Sequence, residues 1–222
     1  MTITYDCSEE TGREVGLTSA AGALRAGRLV VTPTDTLYGI AADAFDPDAV
    51  SLLLSAKRRG PDMPVPVLVG SWETIDGLVV STPAAARDLI RAFWPGGLSL
   101  IVHQAPSLNW NLGQTSGTVM LRMPLHPVAL ELLREVGPLA VSSANISGQP
   151  PATTVAQARE QLGDSVSVYL DGGECAIGTP STIVDLSGPA PSIVREGAVS
   201  AERIAEVLGT DPETLRGASR AV

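Results

Sequence analysis

Leu29-Val30-Val31-Thr32-Pro33-Thr34-Asp35-Thr36-Leu37-Tyr38-Gly39 carries an apolar run straight into a proline, hydroxyl side chains and an aspartate. The first three residues read as a short buried strand, which Pro33 ends by removing a ladder donor. The polar residues that follow stand at a strand exit, where open α/β sheets place their ligands. Gly39 then allows close backbone approach. A hydrogen-bonded turn capping the strand and a ligand-binding loop both fit these residues.

Outward from this stretch, helical and strand patterns alternate. A helix over 14–25 precedes it, stopped by Gly27. After it, Asp46 and Pro47 supply the cap and first turn of a helix running through Leu52, Leu53 and Leu54 to Lys57. Strands are predicted over 65–69, 98–102, 119–123, 139–141, 166–170, 182–186 and 192–195. Helices are predicted over 84–93 behind Thr82-Pro83, over 127–136, over 154–162, and over 201–208 behind Ser200. Helices and strands alternate early and strands cluster late, which predicts an α/β fold with an open, twisted sheet of mixed parallel and antiparallel strands and flanking helices. No stretch reads as an interdomain linker, so residues 1–209 are expected to form a single catalytic domain, with a frayed tail over 210–222.

Composition narrows the function. The chain has 222 residues, 44% hydrophobic and 18% charged, enough to bury a sizeable core. Its longest apolar runs are strand-sized, and the N-terminus lacks the basic start and apolar stretch of a signal peptide, so no membrane association and a cytoplasmic location are expected. Cys7 and Cys175 are far apart and form no zinc pattern, which fits a reducing compartment. The net charge of −9 argues against broad nucleic-acid binding while leaving room for a small cationic cleft. Fourteen of the fifteen basic residues are arginine; the lone lysine, Lys57, stands beside Arg58 and Arg59.

The familiar catalytic signatures are missing: no P-loop, no nucleophile elbow, no His-Glu-x-x-His, and only two histidines, His103 and His126. What remains is a series of polar stretches at element ends. Lys57-Arg58-Arg59-Gly60-Pro61 closes a helix, where the dipole favours cations. Three adjacent cations repel, however, and a polyanionic ligand would offset that repulsion. Trp94-Pro95-Gly96-Gly97 reads as an architectural turn. Arg122 interrupts the apolar strand Thr118-Val119-Met120-Leu121-Arg122 and so is expected to meet a carboxylate, structural or a ligand's. Ser142-Ser143-Ala144-Asn145-Ile146-Ser147-Gly148 exits a buried strand and is expected to offer free backbone amides to an anion. Gly178-Thr179-Pro180-Ser181-Thr182 and Arg195-Glu196-Gly197 are weaker signals.

Together and in this order the stretches resemble the YrdC-like family of threonylcarbamoyl-AMP synthases, over about Gly22 to Leu208. The chain has the family's Pro-Thr-Asp-Thr-x-Tyr-Gly at 33–39, Lys-x-Arg at 57–59, Trp-Pro-Gly at 94–96, Arg-x-Pro at 122–124, Ser-Ala-Asn-x-Ser-Gly at 143–148, Ser-Thr-Ile-Val-Asp at 181–185 and Arg-x-Gly at 195–197. It departs where the family has an asparagine and this chain has Met63. The resemblance implies the short, single-domain form, a twisted mixed sheet around a large concave cleft, and a nucleotidyltransferase reaction: L-threonine, bicarbonate and ATP give threonylcarbamoyl-AMP and pyrophosphate. The product would pass to a tRNA threonylcarbamoyl-transferase complex. By the same resemblance Lys57 and Arg59 would be catalytic and hold the triphosphate, with Thr118, Ser143, Asn145 and Arg195 completing the nucleotide site. Thr34, Thr36, Arg122 and Ser181 would hold threonine. Mg2+ would come in on the ATP phosphates and need few protein carboxylates, and no metal ligand is assigned. The substrate's carbamate is the nucleophile, so an activated serine or cysteine is not needed. Two other readings stay open: a double-stranded RNA-binding module of the same fold, and a carbamoyl-transfer domain.

Overall fold

The computed structural model describes residues 2–60 and 62–217. Along the chain run β1 (Ile3–Asp6), α1 (Glu10–Arg25), β2 (Val30–Thr32), β3 (Gly39–Asp43), α2 (Pro47–Ala56), β4 (Val67–Leu68), α3 (Ala84–Phe93), β5 (Leu98–His103), β6 (Thr118–Arg122), α4 (Pro127–Val136), β7 (Leu139–Ser143), α5 (Val155–Leu162), β8 (Val168–Asp171), β9 (Thr182–Asp185), β10 (Ser192–Arg195), α6 (Ala201–Leu208) and α7 (Pro212–Gly217). Short 3-10 turns lie at Trp72–Gly77 and Gly163–Ser165.

The strands form one open sheet in the order β1-β8-β2-β3-β7-β4-β6-β5-β9-β10. Pairs β1–β8, β2–β8, β4–β6 and β5–β9 are parallel, and the other five are antiparallel. The mixed α/β architecture is therefore the one the alternation implied. Helix starts follow local chemistry. Asp46 accepts from the amides of Asp48 and Ala49, Thr154 from Gln157, and Ser200 from Arg203. The 84–93 helix departs slightly, since Pro83 occupies its cap position without a side-chain bond.

Side-chain alternation divides the sheet into two faces. On one face Val31, Ile40, Ala42, Ala140, Leu98, Leu100, Val119, Leu121 and Val184 pack with α2, α3, α5 and α6 in the larger core. On the other, Val30, Ala41, Leu139, Val141, Val168 and Leu170 pack under α1 and α4, which bring Ala20, Leu24, Val128 and Leu132. That second cover stops over the central strands. Beyond it the same face continues along β6, β5 and β9 with Ser99, Met120, Arg122 and Ile183, and these form the floor of a cleft.

Two strands and one helix were not foreseen. β3, Gly-Ile-Ala-Ala-Asp, is buried from Gly39 to Ala42, and Ile3–Asp6 pairs in parallel with β8. The tail expected to fray from Thr210 instead forms α7: Leu215 is buried in the larger core, and Arg216 reaches Glu196, Glu202 and Glu213. Residues 218–222 of that tail lie outside the described residues.

Candidate functional site

The cleft has a volume of about 370 Å³ and draws on every part of the chain flagged for chemistry. From the 34–39 loop come Thr34, Thr36, Leu37, Tyr38 and Gly39. Thr34 Oγ1 accepts from the amides of Thr36 and Leu37, both at 3.2 Å, and donates to Leu37 O at 2.6 Å, which tightens the turn. Gly39 is required by close packing: a Cβ there would stand 2.5 Å from Val141 Cγ1. Tyr38 points away from solvent, donating to Gly173 O at 2.6 Å and accepting from Gly172 N at 3.1 Å. The turn is thus both a strand cap and a cleft wall.

Arg122 does meet a carboxylate, and it is the chain's own. Its Nη2 lies 2.5 Å from Asp35 Oδ1, its Nη1 donates to Thr36 Oγ1 at 2.8 Å, and its Nε donates to Gly96 O at 2.9 Å. Asp35 Oδ1 also accepts from the Leu125 amide at 2.9 Å. The guanidinium is buried, which lowers its pKa, while Asp35 acts in the opposite direction. Three of its five N–H groups are committed and two remain for the cleft.

Ser181 and Arg195 form the facing wall. Arg195 Nη2 donates to Ser181 O at 2.8 Å, and Ser181 Oγ lies 2.9 Å from Ser99 Oγ. Arg195 reaches the cleft because β10 carries a bulge: Ile193 pairs with Val184, but Arg195 pairs with Ile183. The extra residue, Val194, reverses the alternation and turns Arg195 to the open face. Gly197 follows because a Cβ would lie 2.2 Å from Pro180 O. Arg59, Ser142, Ser143 and Asn145 close the far end, and Met63 and Pro64 line its mouth. Arg59 makes only long bonds, 3.4 Å to Ser142 Oγ and 3.4 Å to Pro64 O, and its buried Nε has no partner among the described residues. Burial also lowers the pKa of Arg59 and of Arg195.

Two residues assigned to the nucleotide site lie outside this lining. Thr118 shares a face with Met120 and Arg122 but sits beyond the cleft, its hydroxyl bonded to Thr115 O at 2.7 Å. Lys57 is 2% exposed and lies behind the 143–147 loop, donating to Ser143 O at 2.5 Å and Asn145 O at 2.7 Å. Burial, and secondarily Arg59, lower its pKa to about 8. The loop's amides are not free either. Ala144 donates to Tyr38 O, Asn145 to Ser143 O, Ile146 to Gln161 Oε1 and Ser147 to Lys57 O. An anion nest of these amides is therefore ruled out by their internal bonds, and the loop presents side chains instead.

Sequence reading missed Ser99 and left Ser142 without a role. Ser99 carried a usable signal, a hydroxyl interrupting the apolar run Leu98–Val102 just as Arg122 interrupts its strand.

A family model for Sua5, YciO and YrdC proteins, described as telomere recombination, matches residues 22–197. The chain belongs to the Sua5/YciO/YrdC family. Among its relatives in this family is a Mycobacterium tuberculosis protein, provisionally named a threonylcarbamoyl-AMP synthase. It is 66% identical over 217 residues, which cover 98% of this chain and all of that one. The threonylcarbamoyl-AMP synthase of Pyrococcus abyssi is 36% identical over 210 residues, covering 94% of this chain and 62% of that protein. A solved structure of P. abyssi Sua5 complexed with L-threonine superposes with a TM-score of 0.86 at 35% identity, over 94% of this chain and 61% of that one. This member of the family thus spans about three fifths of its P. abyssi relative. Among the described residues no helix is long and apolar enough to cross a membrane.

Proposed function

We propose that the chain is an L-threonylcarbamoyladenylate synthase. The observation that supports this most directly is the cleft itself, where the guanidiniums of Arg59, Arg122 and Arg195 share one wall system with the hydroxyls of Thr34, Thr36, Ser99, Ser142, Ser143 and Ser181. Such a donor set suits an amino-acid carboxylate and a polyphosphate held side by side. Relatives bearing the name of an enzyme that makes an AMP adduct point the same way, as does the P. abyssi complex with L-threonine.

In this reading the two free N–H groups of Arg122 face the threonine carboxylate, with Thr34, Thr36 and Ser181 nearby. Arg59 and Arg195 hold the triphosphate, and Ser143 and Asn145 complete the nucleotide site on the adenosine side. Threonine's amine and bicarbonate condense to a carbamate with loss of water. A carbamate oxygen attacks the α-phosphorus, the bond to the bridging β-oxygen breaks, and pyrophosphate departs. The chain's residues bind and orient anions that would otherwise repel, which is the main barrier to such a displacement. No carboxylate is among the lining residues, so the cleft fits a magnesium ion carried in by the phosphates and not one caged by the protein. Bound magnesium would neutralise phosphate charge. The adduct would then serve a tRNA-modifying transferase partner in the cytoplasm.

The test is pyrophosphate release from ATP by the purified protein. Release that needs threonine and bicarbonate together supports the reading; release without either, or none with both, refutes it.

A further inference from the structure

Lys57 is the one lysine in a chain with fourteen arginines, and its surroundings explain the choice. The side chain runs under the 143–147 loop, where Ser143 O, Asn145 O and Asn145 Oδ1 converge on Nζ at 2.5, 2.7 and 3.4 Å. An ammonium has three diverging N–H groups, so these acceptors use all of them. A planar guanidinium fork could not seat on three oxygens arranged around one point. The main chain adds a fourth bond, since Lys57 O accepts from the Ser147 amide at 2.9 Å. Among the described residues no carboxylate pairs with this buried charge. A buried cation neutralised only by carbonyl dipoles is costly to keep, and here its bonds all go to one loop.

We propose that Lys57 is a positioning residue that staples the 143–147 loop from beneath, holding Ser143 and Asn145 at the cleft wall, and that it makes no contact with bound nucleotide. The loop's carbonyls at 143 and 145 are drawn inward to Nζ while its amides are tied to Tyr38 O, Gln161 Oε1 and Lys57 O. Asn145 completes the unit through Nδ2, which donates to Ile146 O at 2.9 Å and Gln149 O at 2.8 Å. The phosphate-facing cation is then Arg59, which lines the cleft with an unpartnered Nε.

This inference rests on the nucleotide reading above, and its test separates the two. Amide hydrogen exchange of the 143–149 segment is measured on the ligand-free protein and on Lys57→Met. The affinities of ATP, AMP and adenosine are then measured by calorimetry for wild type, Lys57→Met and Arg59→Ala. The staple predicts exchange at least about tenfold faster in that segment of Lys57→Met. It also predicts an equal fractional loss of affinity for all three ligands, whereas Arg59→Ala loses most for ATP and least for adenosine. If Lys57→Met does not fold, Lys57→Arg replaces it: the charge is kept, yet the same uniform loss is expected. Unchanged exchange overturns the staple, and a Lys57 loss graded by phosphate number overturns its separation from the ligand. A wild type that binds none of the three ligands overturns the nucleotide reading, and the exchange result still decides the staple.

Discussion

The Asp35–Arg122 pair supports a double-mutant cycle whose outcome follows from its burial. The two charges lie 2.5 Å apart with side chains 5% and 8% exposed, so water screens them little. Removing one member of such a pair strands the other, at a cost of about 3–5 kcal/mol. Asp35→Asn removes the charge while keeping an oxygen for the Leu125 amide, and Arg122→Met keeps the length of the side chain without its charge. Each single variant should lose about 3–5 kcal/mol in urea unfolding. For a chain of this size that is roughly 6–20 °C in Tm. The double variant strands neither charge, so its loss should fall short of the sum by about 1–3 kcal/mol. Additivity within about 0.5 kcal/mol, or a single loss under about 1 kcal/mol, would refute the claim that Asp35 exists to hold Arg122.

Other outcomes follow from the same geometry. Arg59→Ala should weaken ATP binding about 10- to 100-fold in calorimetry, the range for losing charge-assisted bonds, and leave adenosine little changed. Burial, with Asp171 second for Cys7, raises the Cys7 and Cys175 thiols from 9.0 to about 11. Their folded pKa values lie above the unfolded ones, so the stability they contribute is complete below pH 9 and is lost as pH rises through 11. Alkaline unfolding should therefore be shallower in a Cys7→Ala/Cys175→Ala variant, and both thiols should resist iodoacetamide at pH 8 until the chain unfolds. On α7, Leu215→Ala should cost about 2–4 kcal/mol in urea unfolding, whereas Arg216→Ala should change little despite its three glutamates, because those ion pairs face water.

Most helices were legible because caps and apolar spacing are local signals: 127–136 and 201–208 begin and end where the sequence placed them. β3 escaped because Gly39–Asp43 is short, rich in alanine and buried on both faces, so it shows no alternation. The cleft's cations were legible as a set, but their division of labour was not. Lys57 read as a cleft-facing cation because its burial depends on a loop 86 residues away. Arg195 looked like a weak signal because a bulge, invisible in the sequence, aims it inward. Arg122 was legible as needing a carboxylate; that Asp35 supplies it depends on the pairing of distant loops.

The central claim is tested most directly by mass spectrometry of the product formed from ATP, L-threonine and 13C-labelled bicarbonate. The account predicts an adenylate containing threonine and one labelled carbon, formed in step with pyrophosphate and absent when threonine or bicarbonate is omitted. An AMP adduct without the labelled carbon, or ATP consumption with no adduct, would contradict it.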